Sequence, residues 1–262
     1  MISLIISLYK RLDFLTLILQ GLERQSYKNF EVIIAEDDNA PETVEFIEQA
    51  KKQYGFPIKH VSQEDIGFRK TKTLNAAVVT AKGEQLVFID GDCIPHKHLL
   101  KEYAKAIRKN KICYGRRAYL SKKITAQLLQ EKSISNLTFF KAYFSGSTHM
   151  GAAIYNPFLK NIDKQKREIL GCNWGILREH IFSVNGFDED YTRASVGEDL
   201  DINWRLKAQG MSMKSMKNRA IVYHLYHASN YNDSDTFSTL SLMHEKRKTG
   251  HLYCLNGINK ND

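Results

Sequence analysis

The sequence predicts an α/β fold built on a mostly parallel sheet, and three observations predict it. Short apolar runs alternate with stretches of helical period through the first half of the chain. Acidic residues follow directly on two of those runs, at the strand ends where open α/β sheets hold ligands. A chain of 262 residues buries enough surface to fold without disulfides.

The elements follow in order. Ile2–Leu8 is a β run, and Leu12, Leu15, Leu19 and Leu22 then recur at helical spacing. A strand over Phe30–Ala35 precedes a helix over Pro41–Gln53, whose first turn carries Pro and acids as a helix start should. A short strand at Ile58–Val61 leads to a helix over Phe68–Ala81, a strand over Gln85–Ile89, a helix over Lys97–Lys109 and a strand over Ile112–Tyr114. Residues Ser121–Asp163 break the rhythm and read as a helix followed by a loop. Their aromatics (Phe139, Phe140, Tyr143, Phe144) are assigned to core packing ahead of an acceptor or membrane contact. Regular structure resumes with Arg178–Val184, a helix over Glu198–Gln209 closed by Gly210, and a strand over Ala220–His224. The tail Asn256–Asp262 is polar and reads as frayed.

The formal net charge of +9 suits an anionic partner. The cations are spread along the chain and no nucleic-acid module appears, so no nucleic-acid partner is expected. The four cysteines form no CxxC pair and read as buried, reduced thiols of a cytoplasmic protein. The opening apolar run is too short for a signal segment, and no stretch is long and apolar enough to span a bilayer. Any work at a membrane would then be peripheral.

The chemistry lies after the strands. Phe30–Ala35 runs into Glu36-Asp37-Asp38, and Gln85–Ile89 into Asp90-Gly91-Asp92. Adjacent carboxylates repel unless a cation or hydrogen-bond donors fill the space between them. Asp-x-Asp offers hard oxygen ligands to Mg²⁺ or Mn²⁺, which keep coordination positions open for phosphate oxygens. The competing reading is a plain acidic turn.

The ordered set of motifs resembles GT-A-fold glycosyltransferases of family 2, with a second half similar to the β-1,4-galactosyltransferase C-terminal domain. Ser3-Leu4-Ile5-Ile6-Ser7-Leu8-Tyr9-Lys10-Arg11 matches the family's opening strand and turn. Gln25–Ile34, Glu36-Asp37-Asp38-Asn39, Gln63–Arg69 and Lys72–Asn75 follow in order, then Asp90-Gly91-Asp92. Gly171–Trp174, Asn185–Glu189 and Gly197-Glu198-Asp199 complete the second half. Ser7, Lys10, Glu36 and Asp38 depart from the pattern, standing where the family has Pro, Asn, Asp and Gly.

The resemblance implies a single GT-A domain with a Rossmann-like sheet. Residues 1–115 form its nucleotide-sugar half and residues 116–262 its acceptor half. Asp37 would accept the uracil N3–H; its alternative is a turn acid or helix cap. Tyr9, Asp65 and Asp90 would contact the nucleoside or ribose. Arg69 and Lys72, on one helical face near a helix N-terminus, would offset the diphosphate charge, with Asn75 further along the same helix; a solvated face is the alternative. Asp92 and His224 would bind Mn²⁺ or Mg²⁺, with His227 the alternative to His224. Glu198 and Asp199 would hold the acceptor, Asp199 acting as the base, and helix capping is the alternative role. Trp174 would stack on a sugar or else sit in the core. Asp201 and Arg205 are spaced for a structural i, i+4 pair.

The expected reaction is an inverting transfer of a hexose or N-acetylhexosamine from a UDP-sugar. The acceptor hydroxyl would belong to a glycan or lipid-linked glycan, such as bacterial lipopolysaccharide or capsule. Basic charge would favour peripheral docking on an anionic inner leaflet. The rivals are a non-catalytic nucleotide- or glycan-binding subunit and a sugar nucleotidyltransferase of similar fold. The latter would want a Gly-rich loop after the first strand, and residues 7–13 contain no Gly.

Overall fold

A computed structural model describes residues 1–195, 197–228 and 233–260. Its main sheet has seven strands, β1 (Ile2–Leu8), β2 (Phe30–Glu36), β3 (Ile58–Ser62), β4 (Gln85–Asp90), β6 (Lys111–Tyr114), β8 (Trp174–Leu177) and β9 (Ser212–Ser215), in the spatial order β3-β2-β1-β4-β8-β6-β9. The strands β1 to β4 are mutually parallel, β8 runs antiparallel to both neighbours, and β6 pairs β9 in parallel.

The strand β1 is apolar at nearly every position because it is covered on both faces, as a central parallel strand must be. Its side chains alternate between two cores. Leu4, Ile6 and Leu8 join one with Val32, Ile34 and Val87; Ile5 joins the other with Ile33, Leu86 and Phe88. Helix α1 (Leu12–Glu23) buries Leu15, Ile18, Leu19 and Leu22 in the first core. Helix α3 (Lys70–Thr80) supplies Leu74, Ala77 and Val78 to the second.

A second sheet of three short strands, β5 (Cys93–Pro95), β7 (Arg116–Tyr119) and β10 (Ile221–His224), accompanies the expected one. The sequence pattern passes over the short strands β5, β7, β8 and β9. The helix α9 (Asp233–Thr249) was likewise unforeseen; it packs on α8 (Gly197–Ala208).

Two expectations are corrected here. Phe140, Tyr143 and Phe144 are exposed, Phe144 to 81%, on the short helix α6 (Phe139–Phe144), so the core reading fails for them. The tail is docked rather than frayed as far as residue 260. The Asn185 side chain donates to the Asn259 carbonyl at 2.9 Å and accepts from the Asn259 amide at 2.8 Å. Asn261 and Asp262 lie outside the described residues. The four cysteines are buried and free, and no described helix is long and apolar enough to cross a membrane. Arg205 and Asp201 form the expected pair at 2.8 Å, fully buried.

Candidate active site

The parallel register levels four strand ends. Ser7 stands opposite Ala35 and Asp90, and Glu36 opposite Ser62. The segments that leave β1, β2, β3 and β4 therefore emerge along one edge, carrying Tyr9 and Lys10, Asp37 and Asp38, Asp65, and Asp90 to Asp92.

Asp37 is 6% exposed and accepts from the Arg69 amide at 2.7 Å and from Gln63 Nε2 at 2.5 Å. The positions that depart from the family pattern are paired among themselves or with neighbours. Ser7 Oγ donates to Asp90 Oδ1 at 2.9 Å, and His60 Nε2 lies 2.7 Å from the buried Glu36 carboxylate. Lys10 Nζ sits 2.6 Å from Asp65 and 3.9 Å from Asp38, while the Tyr9 hydroxyl reaches Asp65 at 3.3 Å.

The expected diphosphate face needs correction. Helix α3 begins at Lys70, two residues later than its sequence suggests, and this changes which cation faces inward. Lys70 Nζ donates to Asp90 Oδ1 at 3.0 Å and lies 3.8 Å from Glu198 Oε1. Burial opposes its charge, but Asp90, Asp199 and Glu198 together hold its ammonium well above the ordinary lysine range. Lys72 is two residues further on, about 200° around the helix, and is exposed. The Arg69 guanidinium turns back to donate to the Glu64 carbonyl. Asn75 is structural: it donates to the Phe187 carbonyl and Glu189 and accepts from the Phe187 amide, fastening α3 to the 185–189 turn.

Gly91 is required where it stands. A Cβ there would lie 2.6 Å from the Ser7 carbonyl, so only glycine lets the Asp-Gly-Asp turn pass beneath the end of β1. The following strand β5 runs antiparallel to β10, placing His224 opposite Cys93, and the Leu225 amide donates to the Asp92 carbonyl at 2.8 Å. Both imidazoles consequently reach one oxygen. His224 Nε2 is 3.2 Å and His227 Nε2 is 2.9 Å from Asp92 Oδ2, and the three candidate ligand atoms lie within 4.8 Å of one another. Burial works against ionisation of Asp92, yet hydrogen bonds from His224 and His227 hold its carboxyl well below the usual range. The Asp92 hydrogen bond in turn raises His227. A carboxylate oxygen and two imidazole nitrogens converging at this range suit a divalent ion, with the imidazoles favouring Mn²⁺ over Mg²⁺. The sequence left His224 and His227 as alternatives; the geometry brings both to Asp92.

Two further carboxylates, Glu198 and Asp199, come from the first turn of α8. Asp199 Oδ2 accepts from the Gly171 amide at 2.7 Å, and a Cβ on Gly171 would approach that oxygen to the same distance. Glu198 is 3% exposed, and its Oε2 has no hydrogen-bond partner among the described residues. Burial and the neighbouring Asp199 charge push the Glu198 carboxyl up to about 8. Burial also raises Asp199, Lys70 acting against the shift and Asp90 with it. A small pocket lined by Ser7, Lys70, Asp90, Gly171, Trp174 and Asp199 joins the two halves.

Trp174 is corrected. It forms the floor of that pocket but is 1% exposed, its ring stacked on Phe88 at 4.4 Å and edge-on to Phe187 at 6.2 Å. Its place on β8, between β4 and β6, sets the indole in the second core.

A mostly parallel sheet with carboxylates and a carboxylate–imidazole cluster at its ligand edge is the GT-A architecture. The chain belongs to glycosyl transferase family 2, whose model matches residues 3–183, and it is a glycosyltransferase. A second family model, described as the N-terminal domain of galactosyltransferase, matches residues 149–228. The chain is 24% identical to the uncharacterized glycosyltransferase YfnE of Bacillus subtilis, over 89% of its own length and 67% of that protein. It superposes on residues 1–349 of TarS from S. aureus, solved with UDP-GlcNAc, with a TM-score of 0.59 and 16% identity, covering 92% of this chain and 65% of that one. With GalNAc-T7, solved with UDP, GalNAc and Mn²⁺, the TM-score is 0.66 and the identity 13%, covering 93% of this chain and 47% of that one. At these identities the superpositions establish the fold.

Proposed function

We propose that the protein transfers a hexose or N-acetylhexosamine from a UDP-sugar to a glycan hydroxyl, with inversion and with a divalent metal. One observation carries this reading: a nucleotide-side carboxylate (Asp90), a metal-suited triad (Asp92, His224, His227) and a buried carboxylate at a helix start (Asp199) share one edge of the sheet. The UDP-GlcNAc bound to TarS and the UDP and Mn²⁺ bound to GalNAc-T7 support it. In this reading residues 1–115 serve the donor and residues 116–262 the acceptor.

Asp37, Tyr9 and Asp65 hold the nucleoside, and Asp90 the ribose. Asp92, His224 and His227 would hold Mn²⁺, or Mg²⁺, which would supply positive charge to offset that of the leaving diphosphate. Asp199 takes the proton of the acceptor hydroxyl. The new bond to the anomeric carbon forms on the face opposite the breaking bond to the diphosphate oxygen, which inverts the centre. The Gly171 amide fixes the Asp199 carboxylate. Glu198, protonated below about pH 8, donates to an acceptor oxygen. Lys70 keeps Asp90, Glu198 and Asp199 close at tolerable electrostatic cost.

The acceptor is a surface glycan, lipopolysaccharide or capsule, reached at the inner face of the cell membrane. The exposed Phe140, Phe144, Phe158 and Ile162, together with the net charge of +9, support peripheral docking on anionic lipid. Co-sedimentation with anionic vesicles at low salt tests the docking, and its absence removes it. The reaction is tested by UDP release across a UDP-sugar panel with Mn²⁺. Release that depends on the metal and vanishes in Asp92→Asn is expected. Release that is equal with chelator present would refute the metal-dependent reading.

A further inference from the structure

A second cavity, of about 800 Å³, opens beside the pocket that holds Asp199. Its wall carries Arg116, Arg117, Lys160, Lys164, Arg167 and Lys217, with no Asp or Glu. Of the acids in the segment laid over it, Asp163 pairs with Lys214 at 3.2 Å and Glu168 with Lys207 at 3.4 Å, while the Asp199 charge in the adjoining pocket is felt by Arg117. Among the described residues none of the six wall cations forms an ion pair with a carboxylate. Arg116 and Arg117 lie over Tyr114 and Tyr119 instead, and Arg117 Nε donates to the Tyr119 hydroxyl at 2.7 Å. Burial and the facing Arg167 both depress Arg116, whereas Arg117 is raised against its burial by Cys172 and Tyr119. A concave wall of one sign concentrates ligands of the other.

The cavity adjoins the reacting centre. The Tyr119 ring on its wall lies 5.2 Å from the His224 ring. Leu170, also on the wall, precedes the glycine whose amide holds Asp199. The cavity belongs to the acceptor half, built by β7, β9 and the 149–170 segment, away from the β1–β3 ends that face the nucleoside. We infer that this groove binds the acceptor through phosphate groups carried next to the sugar that receives the glycosyl unit. Arginine forks match phosphate oxygens in pairs and lysines add point charge, so an acceptor with two or more phosphates would span the wall. A phosphodiester-linked polyol chain and a lipid-linked diphosphate share this chemistry. The inference rests on the glycosyltransferase reading above and names the acceptor class for it.

Binding to the full chain should be measured for three probes: a glycerol-phosphate oligomer, a short-chain prenyl diphosphate and a neutral oligosaccharide of similar length. The wild-type protein should bind at least one phosphorylated probe about 10-fold or more tighter than the neutral one, with affinity falling as NaCl rises. The stronger of the two phosphorylated probes identifies the source. The variant K164Q/R167Q/K217Q should lose about 10-fold or more of that affinity while keeping the Mn²⁺-dependent thermal shift with UDP. R167E alone is the second variant, should the triple one fold poorly, and it should act in the same direction. Equal affinity for neutral and phosphorylated probes, unchanged affinity in both variants, or tighter binding of single-stranded RNA than of either phosphorylated probe would overturn the inference. Loss of the UDP shift in the wild-type protein would instead count against the donor reading.

Discussion

Residues 1–115 and residues 116–262 build their parts of the site in opposite ways. In residues 1–115 the chemistry sits at the ends of regular strands, so a single register row aligns Ser7, Ala35 and Asp90. In residues 116–262 it depends on contacts between distant segments. Asp199 is held by Gly171, and His224 and His227 reach back more than a hundred positions to Asp92. Regular strands align their end residues through backbone pairing. Convergent loops make a site that a single residue can disconnect.

The largest effect should fall on the convergent half. Asp199→Asn leaves the Gly171 contact feasible but removes the base, and should lower kcat by about 10²–10⁴-fold with donor KM little changed. Steady-state kinetics with saturating Mn²⁺ measures this; a loss under tenfold would move the base elsewhere. Trp174→Ala removes a core ring stacked on Phe88 and should cost about 3–5 kcal/mol of stability by denaturant melt. Trp174→Phe should keep both fold and acceptor KM, which a sugar-stacking indole would not permit.

The next prediction uses the buried Glu198. Its carboxyl is raised from 4.5 to about 8, so between those values the native state binds more protons than the unfolded one. Stability should therefore fall as pH rises through that window, and the loss should be complete above about pH 8. Glu198→Gln should flatten that slope and melt at higher temperature than wild type at pH 9. A parallel pair of melting curves would show that the burial does not act this way. The smallest effect should separate two neighbouring cations. Lys70→Gln should shift the acidic limb of the pH–rate profile to higher pH, because the base Asp199 loses the charge that favours its ionised form. Lys72→Gln, on the exposed face, should change stability by no more than about 0.5 kcal/mol and leave the profile in place.

The same contrast explains what the amino-acid pattern could reveal. The strands β1, β2 and β4 are apolar runs, and β2 and β4 end in carboxylates, so both the sheet and Asp37, Asp90 and Asp92 were legible. Lys70 was not, because its role turns on a helix start that periodicity locates only to within a few residues. Trp174 was ambiguous because an aromatic beside Asn173 in a loop-rich stretch looks alike whether it packs inward or outward. The pairing of β5 with β10 brings both histidines to Asp92, and a three-residue strand such as Cys93–Pro95 gives no pattern from which that pairing could be read. The cationic wall was hidden for a similar reason: Arg116, Lys164 and Lys217 are far apart along the chain and meet only through the parallel pairing of β6 with β9 and the loop laid over them.

The central claim is that the strand-end acids and the two histidines hold a cation against a nucleoside diphosphate. A crystal structure of the protein grown with MnCl₂ and UDP tests it most directly through the anomalous signal of manganese. The account predicts one manganese bound by Asp92 together with His224, His227 or both, with the UDP phosphates on its open side and the uracil beside Asp37. Manganese absent from that cluster, or UDP bound without it at another edge of the sheet, would contradict the account.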